Sequence, residues 1–156
     1  MDVLIVKWVH ILSSMFLFGT GMGTAFFKFT TDLSRNVQAM AITNRRVVLA
    51  DWLFTTPTVV VQPVSGFALA ALYGYPLDSP WLVASVLMYI IAGGCWLPVV
   101  CLQIRMRNDC DRALATGEPL PERYWRDLNK WFWLGVPAFI AMLATLYLMV
   151  CKPTFD

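Results

Sequence analysis

The chain has 156 residues, of which 58% are hydrophobic and 14% charged, and its mean hydropathy is +0.61. A soluble domain of this length needs far less apolar material for its core, so the composition excludes a soluble globular protein and points to an integral membrane protein. The net charge of +2 implies no nucleic-acid partner, because the basic residues gather in two connecting segments, as a membrane topology signal does.

A hydrocarbon layer of about 30 Å takes roughly 20 residues of helix. Four stretches meet that length, at residues 3–27, 47–73, 81–104 and 131–151. They predict an all-α, integral membrane four-helix bundle that occupies residues 1–156 as one domain. The first stretch is too long for a signal-peptide core, has only Lys7 ahead of its middle and shows no small-residue cleavage site, so it is read as a retained helix. Asp32 and Ser34 are candidate caps, and no helix breaker follows until Pro57. Helix two is therefore expected to begin as a cytoplasmic extension over about residues 33–46 and to enter the membrane near Asp51. Residues 108–129, with Gly117, Pro119 and Pro121, read as a short helix, a turn and a lead into helix four. Asn129 is the expected cap of that helix, with Arg126 paired to Asp51.

Orientation follows from the loops. Lys28, Arg35, Arg45 and Arg46 lie between helices one and two. Arg105, Arg107, Arg112, Arg123, Arg126 and Lys130 lie between helices three and four, and residues 74–80 hold no Lys or Arg. Basic loops stay in the cytoplasm, which predicts an N-out/C-out bundle in a bacterial inner membrane with periplasmic termini. Trp8, Trp52, Trp81, Trp131 and Trp133 fall near the proposed boundaries and read as an interfacial aromatic belt.

The only histidine, His10, lies inside the first membrane helix, where an ionisable side chain needs a role. It can be a metal or heme ligand, a proton relay, or a hydrogen-bond partner of Ser13, Ser14 or a facing carbonyl. Helical spacing places Ser14, Leu17, Gly21 and Thr24 on its face, and gathers Thr55, Thr58, Gln62 and Ser65 on one face of helix two. At 1.5 Å per residue, His10 lies about 10 Å and Gln62 about 16 Å below the outer surface, so the two can share a cavity. Ser85, about 6 Å deep, continues through Met88, Ala92 and Cys95 on helix three. Gly19 and Gly23 fit a close helix crossing. Pro57, Pro63, Pro98 and Pro137 interrupt membrane helices. The four cysteines have no CxxC spacing, so neither a disulfide framework nor a zinc or iron–sulfur site is expected from one chain.

Lys7-Trp8-Val9-His10-Ile11-Leu12, the following Gly19 and Gly21, the opening Trp81-Leu82-Val83 of helix three, the run Tyr124-Trp125-Arg126-Asp127-Leu128-Asn129 and the ending Val150-Cys151-Lys152-Pro153-Thr154-Phe155 resemble the HemJ-type protoporphyrinogen oxidase superfamily. Within it the chain looks closest to a sister group of integral membrane proteins of unknown function. The resemblance implies heme b as cofactor with His10 as the iron ligand, and matches the family's arginine and asparagine to Arg126 and Asn129. The family's essential lysine in the third helix falls at or next to Ser85, and the acidic residue after the asparagine is Lys130 here. Those departures weaken an oxidase assignment more than they weaken heme binding.

The expected function is thus that of a heme b-binding membrane redox protein, with His10 as the metal ligand and Lys7, Ser14, Gln62 and Ser85 beside the cofactor. Lys7, one turn outward from His10, is a candidate propionate partner or an interfacial lysine. The alternatives are a cofactor-free accessory or assembly subunit, and a small channel or transporter. Expected partners are the lipid bilayer and a quinone or other membrane redox partner. A homodimer would supply two-histidine ligation, with Met15, Met88 or Cys95 as intrachain candidates for a sixth ligand.

Overall fold

The computed structural model describes residues 2–153; Thr154 and Phe155 of the C-terminal motif lie outside them. Its elements are α1 (Val3–Leu33), α2 (Val37–Ala50), a π-helical turn (Asp51–Thr55), α3 (Thr56–Leu72), α4 (Pro80–Thr116) and α5 (Glu122–Cys151). The segments Val3–Leu33, Val37–Leu72, Pro80–Thr116 and Glu122–Cys151 are all long and apolar enough to cross a membrane.

The helices overrun the apolar stretches that betray them. Asp2 caps α1 by accepting from the Leu4 amide at 3.0 Å, and α1 continues past the membrane stretch to Leu33. Asp32 is therefore inside α1 and Ser34 ends it; the cap of α2 is Asn36, which accepts from the Ala39 amide at 3.1 Å. Residues 108–129 contain no separate short helix, because α4 runs unbroken to Thr116. It stops where Gly117 takes a left-handed conformation and Pro119 and Pro121 follow. With α5 starting at Glu122, Asn129 sits two turns inside the helix and is exposed, so it caps nothing.

The second span is one helix with a fault in it. Pro57 has no amide hydrogen, and its ring crowds the carbonyl one turn back. The ladder widens there: the Thr56 amide reaches the Asp51 carbonyl, five residues back. The Thr56 hydroxyl reinforces that carbonyl at 2.9 Å, and the Thr55 hydroxyl donates to Asp51 Oδ1 at 2.9 Å.

On either side of the fault the packing partner changes. The α2 segment packs mainly on α4, and α3 packs on α1, while α4 and α5 form a long antiparallel pair. The densest core lies at the end of the bundle that carries the basic loops, where Met40, Met106, Cys110, Tyr124 and Trp131 meet. Trp131 is buried there and is no belt residue, whereas Trp8, Trp52 and Trp133 are exposed as a belt requires. At the opposite end α1 is covered on one side only, and Leu4, Ile5, Met15 and Met22 are left for lipid. The expected crossing at Gly19 and Gly23 is not made within the chain, since a Cβ added at either would meet nothing within 4 Å.

Candidate functional site

Two polar clusters are built inside the bundle. The first joins α1 to α3 around His10. Ser65 Oγ lies 2.6 Å from the Val61 carbonyl oxygen and 2.8 Å from His10 Nδ1. The hydroxyl has one hydrogen, and back-bonding to the carbonyl uses it, so towards the imidazole Ser65 accepts. That assigns the ring proton to Nδ1 and leaves Nε2 as the lone-pair nitrogen. Gln62 Nε2 then donates to His10 Nε2 at 3.3 Å. The amide orientation agrees, because Gln62 Oε1 accepts from Ser13 Oγ, which also touches the His10 carbonyl at 3.0 Å. Gly66 lets the ring lie this close to α3: a Cβ there would meet His10 Cε1 at 3.2 Å.

Among the residues expected beside the cofactor, only Gln62 bonds to His10. Ser14 lies one residue further round the helix and donates to the Ile11 carbonyl at 2.7 Å; of the two serines offered as partners of the imidazole, Ser13 is the one that turns inward, and it meets Gln62 rather than the ring. Thr24 donates to the Thr20 carbonyl at 2.7 Å. Lys7 is exposed. Ser85 is buried on α4, with its hydroxyl committed to the Trp81 carbonyl at 2.7 Å. Thr55, Thr58 and Ser65 are buried on one face with half-buried Gln62, as the spacing predicted.

The second cluster was not anticipated, because Lys28 read as a loop charge. Lys28 is fully buried, as are Asp32, Asn44 and Tyr124. Lys28 Nζ donates to Asp32 Oδ2 at 2.8 Å and to Asn44 Oδ1 at 2.7 Å. Tyr124 Oη donates to Asp32 Oδ1 at 2.8 Å, and Asn44 Nδ2 donates back to Tyr124 Oη at 3.0 Å. The ammonium also stands 5.5 Å from the ring centres of Tyr124 and Trp131, within the range of a cation–π contact. Donors and acceptors close on one another, so the cluster ties α1, α2 and α5 together. The available signal was the i,i+4 pair Lys28 and Asp32.

Arg126, expected to pair with Asp51, is exposed, and Asp51 Oδ1 is taken by Thr55. Nearby residues make the ion pairs instead: Asp127 of the same motif with Arg105 at 3.1 Å, and Arg123, just before it, with the buried Asp109, Nε to Oδ2 at 2.9 Å.

All four cysteines are free. Among the described residues no group of three or more His, Cys, Asp or Glu side chains is placed to hold a metal ion.

No curated protein and no solved structure matches the chain. A family model described as predicted integral membrane protein (DUF2269) matches residues 4–153. With four apolar spans and a match across nearly its whole length, the chain belongs to this family of integral membrane proteins.

Proposed function

We propose that the protein binds heme b, which His10 Nε2 would hold as iron ligand. One observation carries the reading. The bond from Nδ1–H to Ser65 holds the imidazole in the tautomer and orientation that metal-ligating histidines are given by an outer partner. The resemblance to HemJ-type proteins, in which the first-helix histidine ligates heme, supports the same assignment.

The ligand atom fits the group and its surroundings fit in part. The Gln62 amide faces Nε2 in a long bond of 3.3 Å, so this nitrogen is held only weakly and would be free to hold the group. Ser65 would keep the ring oriented. Lys7, exposed one turn towards the N-terminus, offers its ammonium to a propionate. When bound, the heme supplies one-electron chemistry at its iron. Oxidation of a porphyrinogen is not part of the proposal, because Ser85 stands where the family lysine is implied and its hydroxyl is already committed.

A second reading, a cofactor-free accessory subunit, draws on the same geometry, since Gln62 and Ser65 together occupy both ring nitrogens. The spectrum of detergent-purified protein from heme-replete cells, air-oxidised and dithionite-reduced, separates the two. A Soret band in the wild type that disappears in His10→Ala at unchanged expression supports heme ligation. Absence of the band from the wild type leaves the accessory reading, and a band indifferent to His10→Ala rejects the ligand.

A further inference from the structure

The cleft between the second span and α4 has a volume of about 190 Å³, and its walls include Trp52, Leu97, Val100 and Ile104. Asp51, Trp96 and Gln103 also line it. Asp51 and Gln103 are only 6% and 5% exposed, yet Asp51 Oδ2, Gln103 Oε1 and Trp96 Nε1 have no hydrogen-bond partner. The His10 and Lys28 clusters bond within themselves; here the three unpaired atoms belong to side chains that line one cleft. Buried polar groups of this kind are rarely left unmatched, and hydrocarbon supplies no water to relieve them.

The inventory defines an occupant. Two oxygens ask for donors and one indole N–H asks for an acceptor. An ammonium has no lone pair for the indole, and an anion would face the Asp51 carboxylate. A neutral ring hydroxyl does both jobs, since its hydrogen goes to an oxygen and its lone pair takes the N–H. Exposed Trp52 and Leu97 place the mouth of the cleft on the lipid-facing surface, so the occupant arrives from the bilayer. An apolar cavity of about 150 Å³ holds benzene, so this cleft has room for one substituted ring while any alkyl tail stays in the lipid. The indoles of Trp52 and Trp96 suit an aromatic face.

We propose that the cleft beside the π-helical turn binds the ring of a membrane hydroquinone, its hydroxyls directed to Asp51 and Gln103 and a ring oxygen to Trp96. The site is separate from His10 and does not rest on heme binding.

Anaerobic calorimetric titration of the full-length protein in detergent with decylubiquinol tests it. Saturable binding is expected, at least tenfold weaker in Gln103→Leu and in Trp96→Phe. Decylbenzene, which has a ring and tail but no oxygen, should bind at least tenfold more weakly than decylubiquinol. Circular dichroism identifies any variant that fails to fold, and the decylbenzene comparison needs no variant. Non-saturable uptake, equal affinity for the two probes, or equal affinity in folded Gln103→Leu, Trp96→Phe and wild type would overturn the proposal.

Discussion

Tyr124 Oη and Asp32 Oδ1 meet at 2.8 Å across 92 positions of sequence, so the start of α5 is locked to the end of α1 by one phenol. Removing it in Tyr124→Phe leaves a buried carboxylate oxygen without its donor. The expected loss is about 1–3 kcal/mol, read as a lower midpoint of thermal unfolding in detergent.

Lys28→Met should cost more, about 3–5 kcal/mol, because it strands the Asp32 charge inside the bundle. Adding Asp32→Leu removes the stranded charge. The double variant should therefore be more stable than Lys28→Met alone, in the same unfolding assay; a double variant as unstable as the single one would contradict the ion-pair account.

Around the start of α5, exposed and ion-pairing positions should separate. Arg126→Ala, at an exposed side chain, should change stability by less than about 0.5 kcal/mol. Asp109→Ala should lower the unfolding midpoint more than Arg126→Ala does, since it removes a buried carboxylate that accepts from Arg123. Unfolding midpoints of the two variants measured side by side give the comparison.

Ser65→Ala tests the orientation of His10 separately from its presence. If His10 holds heme, loss of the Nδ1 partner should weaken heme affinity by about 10–100-fold without abolishing it, as followed by titrating heme into protein purified without it. Gly66→Ala should act in the same direction by pushing on the ring edge.

The basic loops predict a membrane orientation. Alkaline phosphatase fused at the C-terminus should be active, and fused after Gly117 inactive; the reverse pattern would invert the bundle. Lys28, being buried between helices, contributes little to that signal.

The four spans were legible because long apolar runs are a local property of the sequence that the bilayer reads directly. Their ends were not: the overhangs Lys28 to Leu33, Arg105 to Thr116 and Glu122 to Lys130 are polar enough to look like loops and are held helical by packing on one another. The stripe Thr55, Thr58, Gln62 and Ser65 was visible from spacing alone. Ser13 and Ser14 both lie about one turn from His10, so the sequence left the choice between them open, and only the position of α3 decides which of them faces inward. Lys28 and Tyr124 become partners solely through tertiary structure, which no local pattern encodes.

The π-helical turn makes the identity of the His10 partners a matter of counting. One extra residue between Asp51 and Thr56 rotates everything after it by about 100° relative to α2. On an uninterrupted α-helix, Gln62 and Ser65 would prolong the face that α2 turns to α4, and the imidazole on α1 would have nothing opposite it. A single-residue deletion in this turn would therefore dismantle the His10 cluster with every residue of that cluster still present, so comparison of chains at this site must begin with their length between positions 51 and 62.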